Sequence, residues 1–162
     1  MILKYQRILK NRSYISLINN IESKERNRFF CRHGMEHLIA VARIAYIISL
    51  EEQSSISKDI IYAASLLHDI GRAEEYETGR SHNEAGAEKA EAILRECDYS
   101  DNEIKEITEA IRTHGHDGYP EKAAPLERLL CMADKLSRTC FNCPAHEECN
   151  WADDKKNETL FY

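Results

Sequence analysis

The chain predicts an all-α fold, a bundle of helices whose apolar stripes carry polar side chains at matching positions. Three observations point to it. Apolar residues recur at three- and four-residue spacing in at least five segments. Two of those segments open on Ser-x-x-Glu, the pattern in which a serine and a glutamate satisfy the free amides of a first helical turn. Glycine and proline number only 6 and 3 in 162 residues, and no stretch alternates apolar and polar as a half-buried strand would.

Taken in order, a first helix is predicted over about residues 13–30, with Ile15, Leu17, Ile18 and Ile21 on its apolar side. A second spans about 34–50, where Val41, Ile44 and Ile48 fall in register with His37. A third starts near Ser57 and sets Ile61 and Ala64 in line with His68. Ser81-x-x-Glu84 opens SHNEAGAEKAEAILREC, and Ser100-x-x-Glu103 opens DNEIKEITEAIRTH, whose Ile104, Ile107 and Ile111 make His114 the next inward position. GHDGYPEKAAP reads as a loop. Pro125 suits the first turn of a last long helix, LERLLCMADKLSR. One domain over residues 1–162 is expected, with a helical core at about 33–138 and a Cys-rich tail, 139–162, packed on it.

A net charge of -6 argues against a nonspecific binder of polymeric nucleic acid, which would be basic. It leaves room for small phosphorylated ligands, which a local group of arginines and metal can hold against the global sign. The opening MILKYQRILKNR is too often interrupted by charge for a secretory signal, and no apolar run approaches membrane-spanning length. A cytoplasmic protein without membrane partners is the expectation. A homodimer is compatible with the sequence.

The chemistry is concentrated at His68-Asp69, where the apolar run IIYAASLL ends. Neighbours on a helix do not share a face, but at a helix end they can converge on one ion, and imidazole with carboxylate suits iron, manganese or zinc. His37, His82, His114 and Asp134 each lie on or beside the apolar stripe of their own helix. A single inward histidine is more often a hydrogen-bonded core residue than a ligand. Five segments that each turn a histidine or an aspartate toward one interior are harder to explain as unrelated polarity, because unpaired buried polar groups are costly. One metal centre would satisfy all of them together.

The order His37, His68-Asp69, Asp134 resembles the HD superfamily of metal-dependent phosphohydrolases. HLIAVARIAYI is similar to that family's opening helix, AASLLHDIGR to its doublet helix and ADKL to its closing aspartate; the likeness runs from about His33 to Arg138. SHNEAGAE and AIRTHGHDGYP resemble segments of the HD proteins that hold two metals. The resemblance implies one metal on His37, His68, Asp69 and Asp134, and a second on His82 and His114 with Asp69 as the bridge. Iron or manganese is the implied pair, with His68 and Asp69 at the catalytic centre. The layout is similar to the bacterial HD-type diadenosine tetraphosphate hydrolases. It is less similar to the HD-GYP cyclic di-GMP phosphodiesterases, because His114-Gly115-His116 replaces their adjacent histidines, and Gly118-Tyr119-Pro120 is read as a turn. His37 is preferred over His33 as first ligand because its spacing to Val41-Ala42 matches the family helix.

The implied activity is hydrolysis of a phosphoester or phosphoanhydride of a nucleotide or similar small molecule by a metal-bridging hydroxide. Arg72, Lys135 and Arg80, each within a few residues of a ligand, are candidate phosphate contacts; His116 and His33 are further candidates for substrate contact or proton donation. Two other readings share the scaffold: a mixed-valent di-iron oxygenase, and a regulatory module that binds a nucleotide without turnover.

A separate signal lies in the tail. Cys140-x2-Cys143-x5-Cys149 follows the last helix, with His146 between the second and third cysteines. Cys-x-x-Cys is a good chelating turn for zinc. A structural zinc on Cys140, Cys143, Cys149 and either His146 or Cys131 fits the pattern. An iron–sulfur cluster does so only with a fourth ligand that the local sequence does not assign. Free thiols or a loop disulfide are the plainer reading.

Overall fold

A computed structural model describes residues 3–115 and 123–162. It contains eight α-helices among the described residues: α1 (Lys4–Ile8), α2 (Arg12–Lys24), α3 (Met35–Glu51), α4 (Lys58–Leu67), α5 (Arg72–Thr78), α6 (His82–Glu96), α7 (Asp101–Thr113) and α8 (Pro125–Leu136). Two short 3-10 turns follow in the tail. The all-helical expectation holds.

The central helix is α4. It touches α1, α3, α6, α7 and α8, and from Ile60 to Leu67 only Tyr62 escapes full burial. A helix apolar nearly all round belongs inside a bundle, and its end delivers the next residues to the middle of the molecule. Around it, Leu38, Val41 and Ile48 of α3 pack in one core with Ile93 and Leu94 of α6, Ile107 and Ile111 of α7, and Leu129 and Leu130 of α8. Ser57 caps α4 by accepting from the Ile60 amide; Ser100 and Glu103 close the capping box that opens α7; Pro125 takes the first turn of α8.

Four details differ from the sequence reading. The short helices α1 and α5 were not expected from periodicity. In α2 the inward stripe is Tyr14, Ile18 and Ile21, which leaves Ile15 42% exposed. That helix ends at Lys24 rather than near Phe30, because Glu25 turns into the interior to meet His33. Ser81 precedes α6 but its side chain caps nothing; the first amide of that helix, His82 N, donates instead to Glu75 Oε1 of α5 at 3.4 Å.

Gly71 makes the junction of α4, α5 and α6 possible. A Cβ there would stand 2.1 Å from the His82 carbonyl oxygen and 2.6 Å from the Gly86 amide nitrogen. Only a residue without a side chain lets the turn after His68-Asp69 lie against the start of α6. Among the described residues, no helix is long and apolar enough to cross a membrane.

Candidate metal centre

His68 caps α4 and Asp69 begins the turn that follows, and both are essentially inaccessible to solvent. Asp69 sits at the centre of four imidazoles. Its Oδ2 is 3.0 Å from His68 Nε2 and 3.4 Å from His37 Nε2. Its Oδ1 is 3.6 Å from His82 Nε2 and 3.9 Å from His114 Nε2. Asp134 Oδ1 stands 3.1 Å from His37 Nε2 and 3.9 Å from His68 Nε2. The structure thus brings together His37 of α3, His68 and Asp69 after α4, His82 of α6, His114 after α7 and Asp134 of α8.

The outer ring nitrogens define what the inner ones offer. His68 Nδ1 lies 2.7 Å from the Ser65 carbonyl and His114 Nδ1 lies 2.6 Å from the Ile111 carbonyl. A carbonyl only accepts, so each Nδ1 carries the proton. His82 Nδ1 donates in the same way to the Glu75 carboxylate at 2.9 Å. Ser137 Oγ already donates to the Asp134 carbonyl at 2.6 Å, so at 3.3 Å it accepts from His37 Nδ1. In the neutral rings all four Nε2 atoms therefore present lone pairs, and those lone pairs face carboxylate oxygens. Among the buried side-chain atoms without a hydrogen-bond partner are His68 Nε2, His82 Nε2, His114 Nε2, Asp69 Oδ2 and Asp134 Oδ1. Acceptors crowded against acceptors, buried and with no proton between them, are the pattern a cation relieves. Two sets of ligand atoms lie close enough together to share an ion: His37, His68 and Asp134; and His68, Asp69 and His114.

Charge within the cluster follows from burial and proximity. Burial would raise the Asp69 carboxyl, but His68 and Arg72 hold it well below the usual carboxylate range. Burial would raise the Asp134 carboxyl, but His37 and His68 beside it hold it below the usual carboxylate range. Burial lowers His82, with Arg72 acting in the same direction. Both carboxylates are anionic across the neutral range.

Supporting residues complete the site. Arg72 Nε donates to Asp69 Oδ1 at 2.9 Å and its Nη1 to Glu75 Oε2 at 3.0 Å, so the first turn of α5 ties the Asp69 carboxylate to the partner of His82. Asn83 donates to the carbonyls of Arg112 and His114 at 3.3 and 2.7 Å, which fixes the end of α7. Arg138 was not anticipated. Its Nη2 lies 3.2 Å from His37 Nε2 and 3.6 Å from Asp134 Oδ1, while Nη1 donates to the Arg32 carbonyl at 3.0 Å. Its place just past α8 was the only sequence signal available. Glu25 and Tyr76 were also missed. Tyr76 Oη donates to Glu25 Oε1 at 2.5 Å, and the same oxygen meets His33 Nδ1 at 2.5 Å. Burial opposes ionisation of Glu25, yet the His33 and Tyr76 hydrogen bonds bring it down to about 2.

The remaining sequence candidates fall in different places. His33 is buried in that Glu25 network, its ring 5.8 Å from the His37 ring. Arg80 pairs with Glu74 and Glu88 at the surface, at 3.2 and 2.5 Å. Lys135 is half-buried and follows Asp134 on α8, about 100° further round the helix. His116 and the Gly118-Tyr119-Pro120 turn lie outside the described residues. Cys140, Cys143 and Cys149 are free thiols, and His146 faces Glu158 at 3.1 Å. A cavity of about 810 Å³ opens beside His37, lined among others by Arg28, Phe29, Phe30, Arg32 and Arg138.

The HD domain profile matches residues 34–139. The chain belongs to the HD domain family. An uncharacterized protein of Clostridium beijerinckii is 38% identical over 159 residues, 98% of this chain and 99% of that one. The protein named "Putative phosphohydrolase YueE" of Bacillus subtilis is 32% identical over 122 residues, 67% of this chain and 68% of that one. Ribonuclease Y of Pseudothermotoga lettingae is 35% identical over 103 residues, 64% of this chain but only 18% of that protein. Among solved structures, one described as a "predicted HD superfamily hydrolase" from an uncultured Thermotogales bacterium superposes with a TM-score of 0.66 at 23% identity, covering 90% of this chain and 80% of that one. That last likeness establishes the HD-type fold. The HD profile ends where the Cys-rich tail begins, whereas the clostridial match covers nearly the whole chain.

Proposed function

We propose that this HD-domain protein is a metal-dependent hydrolase acting on a phosphoester or phosphoanhydride of a nucleotide or similar small molecule. One observation carries the reading: the two oxygens of Asp69 face opposite pairs of imidazole lone pairs, His37 and His68 on one side, His82 and His114 on the other. That division suits a carboxylate shared between two divalent ions, with His37, His68 and Asp134 holding one and His82 and His114 the other. Iron or manganese matches a donor set of imidazole and carboxylate. When bound, such a pair supplies a hydroxide near neutral pH and neutralises charge on phosphoryl oxygens.

The residues of the chain divide the remaining work. Glu75, Ser137 and the Ser65 and Ile111 carbonyls orient the four imidazoles. Arg138, at the mouth beside His37, would take phosphate oxygens through its planar fork of donors. Arg28 and Arg32 line the same cavity and add positive charge. Phe29 and Phe30, 54% and 43% exposed and set edge to face, each offer an apolar ring against which a base could stack. The arginines and aromatic rings of this cavity, which Glu22, Glu25 and Glu36 also line, suit a nucleotide better than an unadorned phosphate. A diadenosine tetraphosphate is the most specific form of that substrate, on the strength of the ligand order.

The experiment is a release assay for inorganic phosphate and nucleotides. Protein loaded with iron(II) or manganese is offered nucleoside monophosphates and dinucleoside polyphosphates. Turnover that disappears in Asp69→Ala supports the reading. Absence of any turnover by fully loaded protein, or oxygen consumption with an organic substrate instead, contradicts it.

A further inference from the structure

The Cys-rich tail lies outside the metal centre, and its cysteines gain a partner from far upstream. Cys31, in the loop between α2 and α3, lines the same cavity wall as Cys140 and Cys143. Arg28 Nε holds that loop by donating to the Cys31 carbonyl at 2.7 Å. Arg138 joins the loop to the end of α8 through the Arg32 carbonyl. On the tail side, Cys143 N donates to the Cys140 carbonyl at 3.1 Å, which closes the Cys-x-x-Cys segment into a turn, and both cysteines line the cavity. His146 N then donates to the Cys143 carbonyl at 3.1 Å and leads the chain round toward Cys149. Asn157 anchors the far part of the tail, donating to the Lys135 and Arg138 carbonyls at 2.7 and 2.8 Å.

We propose that Cys31, Cys140, Cys143 and Cys149 form a four-thiolate metal site, for zinc or an iron–sulfur cluster, that clamps the C-terminal tail to the loop before α3. Both occupants share one chemistry, four soft sulfur ligands around one centre. The other fourth ligands considered from sequence fit less well. His146 points its ring to Glu158 and Glu147, at 3.1 and 3.5 Å. Cys131 is buried on α8, where the Gly115 backbone bonds to it. Cys31 is different: burial raises its thiol, Arg138 opposes that, and the sulfurs of Cys140, Cys143 and Cys149 are near enough to add to the rise. Among the described residues only the two groups at the HD centre bring three ligand atoms within 4.8 Å of one another, so the cysteine sulfurs stand further apart than that. A cysteine carries its sulfur on one rotatable bond, so a change of χ1 rotamer moves it toward a shared centre.

The position gives the site a consequence. Arg28, Phe29, Phe30 and Arg32 flank Cys31, and Arg138 lies two residues before Cys140, so the clamp would hold one wall of the cavity beside His37 in place. It would shape substrate binding without touching Asp69.

The test uses the full chain, purified anaerobically from cells supplied with zinc and iron. Zinc, iron and acid-labile sulfide are counted in the wild type and in Cys31→Ser, Cys143→Ser, His146→Ala, Cys131→Ser and Asp69→Ala. The proposal expects one zinc per chain, or iron with matching sulfide and visible absorption. That centre should be lost equally in Cys31→Ser and Cys143→Ser and kept in His146→Ala, Cys131→Ser and Asp69→Ala. Retention in Cys31→Ser overturns it, as does loss in His146→Ala or Cys131→Ser. Should Cys31→Ser not fold, alkylation of the wild type mapped by mass spectrometry decides. Cys31, Cys140, Cys143 and Cys149 should become reactive together when a chelator is added. Four thiols that react without chelator, or a disulfide among them, overturn the proposal.

Discussion

Glu75 accepts a hydrogen bond from His82 Nδ1 at 2.9 Å and thereby turns His82 Nε2 toward Asp69 Oδ1, 3.6 Å away. A short helix that periodicity does not reveal thus fixes the ligand that would define a second metal. Replacing Glu75 by Ala should weaken the metal on the His82 side by roughly 10–100-fold, the usual cost of losing an outer partner of a metal-bound histidine. Glu75→Gln should fall in between, because its amide oxygen still accepts. Calorimetric titration of metal into the metal-free variants reads this directly, and an unchanged second binding step would refute the orienting role.

Gly71 has no room for a methyl group against the His82 carbonyl and the Gly86 amide. Both obstacles are backbone, so α6 must shift as a unit. Gly71→Ala should destabilise the fold by about 1–3 kcal/mol, the range for overpacked interiors. It should also lower metal occupancy at His82 and His114 more than at His37. Urea melts and metal counting on one preparation test both effects.

The Glu25–His33–Tyr76 network predicts a pH dependence. Glu25 ionises in the fold at about 2 rather than at its ordinary 4.5, against the effect of burial and because of its hydrogen bonds to His33 and Tyr76. A lowered folded-state value means that ionised Glu25 stabilises fully above about 4.5 and that this contribution fades as pH falls through about 2. Metal-free Glu25→Gln should therefore be less stable than the parent at neutral pH, with the difference shrinking on acidification across that window. Denaturation at a series of pH values measures it, and a constant difference would show that Glu25 acts through packing alone.

Arg138 offers the clearest separation of substrate binding from metal binding. Its guanidinium reaches His37 Nε2 and Asp134 Oδ1 from the cavity side and is only 12% exposed. Arg138→Ala should raise KM for a phosphorylated substrate by about 10–100-fold, the worth of one or two hydrogen bonds to a charged group. Metal content should stay at the parental level. A change in kcat with KM unaffected would place Arg138 in another role.

Much of the fold could be read in advance because α3, α4, α6, α7 and α8 carry regular apolar stripes and His37, His68, His114 and Asp134 continue those stripes inward. What escaped depends on contacts between distant segments. Ser81 looks like a cap, yet Glu75 from α5 supplies the acceptor. Nothing around Glu25 marks it as buried, since its burial comes from His33 and Tyr76 meeting it in space. Arg138 is an ordinary residue at a helix end until Arg32 and His37 are placed beside it. Cys31 has no nearby cysteine in sequence, so its relation to Cys140 and Cys143 emerges only when α2 and α8 end at the same cavity.

The central claim is that Asp69 serves two metal ions, and elemental analysis of anaerobically purified protein tests it most directly. The difference between wild type and Asp69→Ala counts the metals that depend on this carboxylate, whatever the tail binds. The account predicts a difference of two iron or manganese ions per chain, reduced to one in His82→Ala and His114→Ala, with hydrolysis lost in all three variants. A difference of one ion or none after reconstitution, with His82→Ala and His114→Ala keeping full metal content and rate, would contradict it.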